Sequence, residues 1–195
     1  MSHYFKLIGS FINLRLLETG DASLTLRWRS SQRASLLNAG ANNLAEQIRW
    51  IESRPSNEFN FIIELKSGIP IGMLSLVGIN EVNKHAETAR FLIGDEESAK
   101  GIPAAVEAMK MIYEFAFDEL KLIRLYGTVA SGNSLMVKWQ KYLGMKEEGR
   151  MRNHYFVNSK WQDAIILGLL AEEYRTQSLP RMNALISATS RKSNN

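Results

Sequence analysis

The spacing of apolar residues along the chain predicts an alternation of strands and helices. Residues 12–17 alternate apolar and polar side chains, which predicts a first strand. Two helices follow. Asp21 is a plausible cap for the first, which carries Leu24, Leu26 and Trp28, and Asn43 with Glu46 forms the capping pair of the second, which ends before Pro55. The N-terminal part therefore predicts one strand and two helices.

The middle of the chain has the period of strands. The segment "FNFIIELKSGIPIGMLSLVGI" consists of two apolar runs joined at Ser67–Gly68, which predicts a hairpin, and "TARFLIGD" predicts a third strand. From Pro103 to about Leu120 the apolar spacing becomes helical. Proline suits the first position of a helix, because its missing N–H would have no partner there.

The C-terminal part predicts a strand at "LIRLYGTVA", a helix from Asn133 to Gly144 and a hairpin that turns at Asn158–Ser159. This order predicts an α+β (α/β mixed) fold in a single domain over residues 1–174, with a central twisted mixed sheet of about seven strands flanked by helices. The helix from Pro103 would cross between two neighbouring parallel strands. Residues 175–195 are rich in Ser, Thr, Asn and Arg and predict a weakly ordered tail.

The amino-acid composition excludes some kinds of active site. The chain has 195 residues, of which 45% are apolar, and no cysteine, so thiolate nucleophiles and thiolate metal sites are excluded. His3, His85 and His154 lie far apart in sequence, so we expect no metal. No segment has the roughly 20 consecutive apolar residues of a membrane span, and no signal-peptide cleavage site is evident, so we expect a cytoplasmic protein without a membrane partner.

The net charge of +4 permits a polyanionic ligand, but no basic run concentrates that charge. We therefore expect no nucleic-acid partner. A nucleotide remains compatible with this charge.

The loop "DEESAKGIP" is the strongest candidate for an anion site. It leads into a helix N-terminus, where unpaired N–H groups and the helix dipole favour an anion. Lys100 adds a positive charge, and Gly101 allows a ligand to approach the backbone. Taken alone, an ordinary turn with a solvated lysine explains this loop equally well.

Several segments taken in order resemble the GNAT superfamily of acetyl-CoA-dependent N-acetyltransferases. The branch concerned contains protein N-terminal, polyamine and nucleotide-amino-sugar acetyltransferases. The matching segments are "IGMLSLVGIN", "HAETARFLIGD", "KGIPAAVEAMKMIYEFAFDELKLIRLYGTV", "NSLMVKWQKYLGMKEEG" and "HYFVNSKWQDAIILGLLAEEY". Each is loose by itself, but their joint order and spacing are fairly specific. The resemblance implies a GNAT-like fold and acetyl-CoA as co-substrate.

The resemblance also implies which residues bind the cofactor. The family's pyrophosphate loop falls on Lys100 to Ala105, so that donors would come from Gly101, Ile102, Ala104 and Ala105, while Pro103 replaces a family glycine and removes one N–H. In the family, the preceding strand splays from its neighbour and pairs with the pantetheine arm. Here that strand would run from Arg90 to Ile93 and includes Phe91 and Leu92. Asn133 matches a family asparagine that contacts the cofactor arm and is equally well placed as a helix cap.

For the chemistry, the resemblance implies a base that takes a proton from the acceptor ammonium. Glu87 is the first candidate and Glu81 the second. Glu87 could instead be a surface carboxylate paired with Lys84 or Arg90.

The family's usual general acid, a tyrosine, is replaced by Gln140 in this chain. Tyr142 is the nearest tyrosine and the candidate acid, but it lies about 200° round a helix from that position, on the wrong face. If Tyr142 is structural, the thiolate takes its proton from water.

The acceptor is a small-molecule amine in our first interpretation. Trp28 and Arg29 match a "WR" pair of nucleotide-amino-sugar enzymes, and the leading acceptor is accordingly a nucleotide-linked amino sugar. A polyamine is the alternative, for which an acidic site could be formed by Glu81, Glu87, Asp95, Glu96 and Glu97. Protein N-termini are a third acceptor class, and a non-catalytic CoA-binding module is a rival function. A homodimer is left open.

Overall fold

The computed structural model describes residues 5–37 and 40–193, with side chains described through residue 189. Eight strands form one mixed sheet. They are β1 (Lys6–Ile8), β2 (Ile12–Leu16), β3 (Phe59–Leu65), β4 (Pro70–Asn80), β5 (His85–Ile93), β6 (Arg124–Ala130), β7 (Lys146–Val157) and β8 (Lys160–Leu170). Their spatial order is β1-β2-β3-β4-β5-β6-β8-β7. The predicted α+β fold is confirmed, with one strand more than expected.

Helices cover the sheet. They are α1 (Ala22–Arg29), α2 (Leu44–Glu52), α3 (Ala104–Glu114), α4 (Ser134–Tyr142), α5 (Ala171–Glu173) and α6 (Leu179–Ser193), with π-helical turns at Phe115–Glu119 and Tyr174–Ser178. None of the helices in the described part of the chain has the length and apolar composition needed to cross a bilayer.

The segment after residue 174 is helical, which corrects the prediction of a weakly ordered tail. Met182 of α6 is fully buried, and the ring of Tyr174 packs against Tyr113 and Phe117 at centroid distances of 5.8 and 5.3 Å. These contacts bury apolar surface of the C-terminal segment against α3, and this stabilises its helical form.

Both predicted hairpins are present. Gly68 has φ +87° in the turn between β3 and β4, and Asn158 and Ser159 both have positive φ between β7 and β8. Two consecutive residues of positive φ match the right-handed twist of antiparallel strands.

The sheet opens at its centre. All neighbouring strands are antiparallel except β5 and β6, which are joined by α3 as the predicted crossover. Those two pair only from His85↔Arg124 to Glu87↔Tyr126, and beyond that point β6 continues alongside β8 alone. Backbone groups of β5 and β6 past Glu87 are thus left facing a gap in the sheet.

A bulge in β5 lies at the start of this gap. The β4–β5 register passes from Ser75↔Ala89 to Met73↔Leu92, so that Arg90 and Phe91 stand opposite one residue, and Arg90 has φ +56°. A bulge bends its strand and increases the local twist. The bend directs β5 away from β6.

Candidate functional site

A cavity of about 760 Å³ occupies the gap between β5 and β6. Its walls come from α1, the segment between α1 and α2, α2, β4, β5, α3, β6, α4 and β7. The lining residues used below are Arg29, Glu46, Trp50, Glu87, Arg90, Phe91, Thr128, Asn133, Gln140, His154 and Tyr155.

Glu87, the predicted base, lies in this cavity. It is the last residue of β5 that pairs with β6. Thr128 Oγ1 on β6 donates a hydrogen bond to Glu87 Oε1 at 2.6 Å and lies 2.7 Å from Tyr155 Oη. A continuous hydrogen-bonded chain therefore runs from a carboxylate on β5 through a hydroxyl on β6 to a phenol on β7.

A bulge in β7 brings Tyr155 to the cavity. The β7–β8 register passes from Met151↔Ala164 to Tyr155↔Gln162, so β7 advances four residues while β8 advances two. Within the bulge Asn153 has φ +49°, and its N–H donates to Asp163 Oδ1 at 2.8 Å. Sequence reasoning missed Tyr155 and Thr128, since no residue pattern within one strand reveals a bulge against another.

Tyr126 stands beside Glu87 across the β5–β6 pair. Burial raises the pKa of the Tyr126 phenol, and the negative charge of Glu87 raises it further. Tyr126 therefore stays neutral at physiological pH.

The backbone of the candidate phosphate loop turns at Gly101. Gly101 has φ +80°, a conformation that favours glycine, and a Cβ added there would have no atom within 4 Å. The N–H groups of Gly101, Ala104 and Ala105 have no acceptor within the described residues. Ile102 differs, because its N–H donates to Ala99 O at 3.3 Å, which corrects its predicted place among the donors.

Pro103 and Lys100 flank the turn at Gly101. Pro103 is the N-cap of α3, so the helix begins one residue later than predicted. The Lys100 side chain is 77% exposed and its Nζ lies 3.7 Å from Glu97 Oε1. Lys100 can thus meet an anion from solvent but does not line the cavity.

The predicted cofactor strand, Arg90 to Ile93, contributes two side chains to the cavity, those of Arg90 and Phe91. Phe91 lines it and stacks on Trp139 with ring centroids 5.0 Å apart. Leu92 and Ile93 are buried, and the carbonyl of Ile93 accepts from Arg33 Nε at 2.8 Å. These two residues can therefore offer a ligand only backbone groups, and the Ile93 carbonyl is already engaged.

Asn133 serves as a helix cap and also faces the cavity. Its Oδ1 accepts from Met136 N at 3.2 Å, while its side chain lines the cavity wall. The cap leaves the amide NH₂ group available as a donor, since only the oxygen is used.

The structure removes Tyr142 as a candidate acid. Its side chain is 54% exposed, stands outside the cavity and packs its ring under the Arg181 guanidinium at 5.6 Å. Gln140 is buried and lines the cavity, and its Oε1 has no hydrogen-bond partner within the described residues. The helical-face argument made from the sequence therefore agrees with the structure.

The residues predicted to contact the acceptor are Trp28, Glu81 and Arg29, and the first two lie outside the cavity between β5 and β6. Trp28 is only 4% exposed, packs beneath Gly94 and does not line the cavity. Glu81 is exposed in the turn between β4 and β5. Both placements correct the prediction. Asp95, Glu96 and Glu97 line a separate depression beside Trp28, so the acidic residues suggested for a polyamine do not converge with Glu87.

Arg29, the third, does line the cavity, together with Arg90. Arg90 Nη1 bonds Glu58 Oε2 at 3.0 Å and Asn60 Oδ1 at 2.9 Å, and its guanidinium lies 5.2 Å from the Trp50 ring centroid. Burial lowers the pKa of Arg29, and the charge of Arg90 lowers it further. The cavity is therefore lined by the guanidinium groups of Arg29 and Arg90, of which that of Arg90 is ion-paired with Glu58. The carboxylates of Glu46 and Glu87 also line it.

No group of three His, Asp or Glu side chains that could hold a metal ion occurs in the part of the chain described.

The family model described as "Acetyltransferase (GNAT) domain" matches residues 12–146. Spermidine N(1)-acetyltransferase of Escherichia coli (strain K12) is 28% identical over 133 residues, which are 68% of this chain and 69% of that protein. The putative ribosomal N-acetyltransferase YdaF of Bacillus subtilis (strain 168) is 34% identical over 110 residues, 56% of this chain and 58% of that protein.

A solved structure has the same fold. Spermidine N-acetyltransferase from Vibrio cholerae, in complex with CoA and spermine, superposes with a TM-score of 0.76 at 24% identity, covering 86% of this chain and all of that one (100%).

Proposed function

The chain belongs to the GNAT family of acetyl-CoA-dependent N-acetyltransferases, and we propose that acetyl transfer to a small primary amine takes place in the cavity between β5 and β6, with Glu87 as the base. The observation that carries this proposal is the position of Glu87, at the point where β5 and β6 part and within hydrogen-bonding distance of Thr128. A carboxylate at that point can take a proton from an ammonium held in the gap.

The residues around the gap fit acetyl-CoA. The N–H groups of Gly101, Ala104 and Ala105 lack acceptors within the described chain and precede or open α3, where an anion such as a pyrophosphate is favoured. The parted strands leave backbone groups of β5 for a pantetheine arm, and Asn133 lines the cavity with its amide NH₂ group available as a donor. When bound, acetyl-CoA supplies an acetyl group on a thiol that leaves as the amide forms.

The finer identity of the acceptor has two candidates, each with its own support. A nucleotide-linked amino sugar is supported by Arg29 and Arg90, since guanidinium groups bind phosphate through paired donors. A polyamine is supported by the relatives, two of which are spermidine acetyltransferases. We place the amino sugar first, because Glu81, Asp95, Glu96 and Glu97, which the sequence suggested for a polyamine site together with Glu87, do not line this cavity.

An acceptor panel tests the proposal. Acetyl-CoA is incubated with spermidine, a nucleoside-diphosphate amino sugar and a peptide with a free N-terminus, while thiol release and acetylated product are followed by absorbance and mass spectrometry. We expect turnover with one class. Binding of acetyl-CoA without turnover on any of several amines of each class would contradict an N-acetyltransferase of small amines.

The variant Arg29→Gln separates the two acceptors. If a phosphate binds beside Arg29, the KM for the amino sugar should rise about tenfold or more, which corresponds to a lost charge-assisted hydrogen bond. The same substitution should leave the KM for spermidine unchanged or lower it, because it removes a like charge.

A cytoplasmic location and a homodimer stay predictions.

A further inference from the structure

Neither Gln140 nor Tyr142 can act as the general acid of the proposed reaction, but Tyr155 and Thr128 are placed to supply one. We infer that Tyr155 gives the departing CoA thiolate its proton, and that Thr128 passes to Tyr155 the proton that Glu87 removes from the acceptor ammonium. This inference rests on the proposed function and adds to it a proton path and two residues.

The hydrogen-bond geometry sets the direction of the chain. Thr128 has one hydroxyl hydrogen, which it donates to Glu87 Oε1 at 2.6 Å when Glu87 is ionised. Its contact with Tyr155 Oη at 2.7 Å must then be a bond that the phenol donates. Once Glu87 has taken a proton, the same three groups can donate in the opposite sense, and the phenol can donate its hydrogen to the departing sulfur.

Tyr155 is the tyrosine in a position to act. Among the described residues that line the cavity it is the only tyrosine, whereas Tyr142 is outside it and Gln140, on the cavity wall, has no proton of useful acidity. His154 also lines the cavity, with its ring 4.7 Å from that of Tyr155, but it is exposed and no hydrogen bond links it to the Glu87 chain.

The bulge in β7 holds Tyr155 by specific bonds. Asp163 on β8 accepts from Asn153 N through one carboxylate oxygen, and from Arg150 Nε at 2.6 Å through the other. These bonds bridge the point at which β7 carries its extra residues. The phenol is thus placed by fixed backbone, as preorganised catalysis requires.

The protons balance over one cycle. The ammonium gives one proton to Glu87, and the free amine forms a C–N bond to the acetyl carbon. As the C–S bond breaks, Tyr155 protonates the sulfur, Thr128 restores the phenol hydrogen, and Glu87 restores that of Thr128. The second proton of the former ammonium leaves to water through the ionised Glu87, so the products are an amide, CoA thiol and one released proton.

Replacement of Tyr155 by Phe tests the acid. We expect kcat to fall about 100-fold, the lower end of the range for general acid catalysis, while the dissociation constant of acetyl-CoA measured by calorimetry changes less than twofold. Tyr142→Phe is the matched control, since it removes a phenol outside the cavity, and should keep kcat within twofold. Retention of more than a third of kcat by Tyr155→Phe would overturn the role of Tyr155.

The relay is tested at Thr128 with two substitutions. Thr128→Val keeps the shape and removes the hydroxyl, and should lower kcat at least tenfold with little change in either KM. Thr128→Ser keeps the hydroxyl and should recover most of that loss. Equal activity of the Val and Ser variants would overturn the relay, because shape alone would then explain the effect.

A pH profile distinguishes proton transfer from packing. Incorporation of 3-fluorotyrosine at position 155 makes the phenol more acidic, and the alkaline limb of kcat should move to lower pH. The other titratable groups that line this cavity are unchanged by this substitution; they are Glu46, Glu87, His154, Arg29 and Arg90. An unmoved limb would count against Tyr155 as the acid.

Failure of this inference is distinct from failure of the proposed function. If the function is wrong, the unmodified protein shows no turnover on the amine panel. If only the inference is wrong, the unmodified protein turns over and the Tyr155→Phe and Thr128→Val variants do so nearly as fast.

Discussion

Trp28 is predicted from the sequence to contact substrate, but the structure makes it a packing residue, and the two roles give opposite results on mutation. The indole lies in a buried cluster with Ala34, Ile62, Met73 and Leu92. Gly94, which follows β5, covers it so closely that an added Cβ would lie 2.2 Å from Trp28 Cγ. Trp28 thereby supports the start of the loop that leads to Gly101.

The expected cost of Trp28→Ala follows from this burial. A tryptophan that is 4% exposed leaves a large cavity when truncated, and such changes cost about 3–5 kcal/mol of unfolding free energy. For a chain of this size each kcal/mol lowers Tm by roughly 2–4 °C, so Tm should fall by roughly 6–20 °C. Trp161→Ala is the matched control, because Trp161 is 63% exposed and its loss should cost less than about 1 kcal/mol.

Urea denaturation followed by circular dichroism measures these differences. Trp28→Phe, which keeps an aromatic ring, supplies the kinetic test, and the KM for the acceptor should stay within twofold of the unmodified protein. A stability loss below 1 kcal/mol for Trp28→Ala would refute the packing role. A tenfold rise in acceptor KM for a stably folded Trp28→Phe would restore the substrate contact.

Three further predictions concern the cofactor loop and the β1–β2 turn. Pro103→Gly should leave the dissociation constant of acetyl-CoA equal or lower by calorimetry, because it restores a backbone donor; clearly weaker binding would show that the fixed φ of proline matters more. Gly101→Ala should weaken acetyl-CoA binding severalfold, since alanine costs about 1 kcal/mol or more at φ +80°; unchanged affinity would mean that the turn tolerates another conformation. Glu107→Gln should lower the unfolding free energy by about 2–4 kcal/mol in urea, because its buried carboxylate accepts from the amides of Ser10, Phe11 and Ile12 at 2.6, 2.8 and 2.9 Å; a loss below 0.5 kcal/mol would contradict this.

Local signals in the sequence predict most of the fold. The hairpin turn at Gly68 and the Asn43 cap of α2, whose Oδ1 accepts from Glu46 N at 3.0 Å, depend on neighbouring residues and are present as expected. The sequence does not predict β1, because this strand has only three residues and its place depends on pairing with β2 and on the turn that Glu107 holds. Such contacts are distant in sequence and leave no periodic pattern.

In the C-terminal helix, the spacing of apolar residues and the polar composition predict different structures. Leu179, Met182 and Leu185 recur at helical spacing, and Met182 is buried, but the abundance of Ser, Thr, Asn and Arg in residues 175–195 favours a weakly ordered tail. Periodicity is the stronger indicator in this segment, because one apolar stripe is enough to dock a helix.

Some residues of the candidate site can likewise be predicted from the sequence and others cannot. Glu87, Gly101 and Asn133 lie on elements that the ordered motifs identify, and the structure places Glu87 and Asn133 in one cavity. Tyr155 and Thr128 could not be found from the sequence, since their meeting depends on a bulge in β7 and on the parting of two strands. Bulges arise from the register between strands, which one strand's residues do not specify.

The most direct test of the account compares the unmodified protein with Glu87→Gln on the acceptor identified by the panel. Rapid-mixing measurement of thiol release gives kcat, and calorimetry gives the dissociation constant of acetyl-CoA. Loss of the base should lower kcat by about 10²–10⁴-fold, with acetyl-CoA binding unchanged within twofold. A Glu87→Gln variant that releases thiol at more than a tenth of the original rate would contradict acetyl transfer driven by Glu87 in the cavity between β5 and β6.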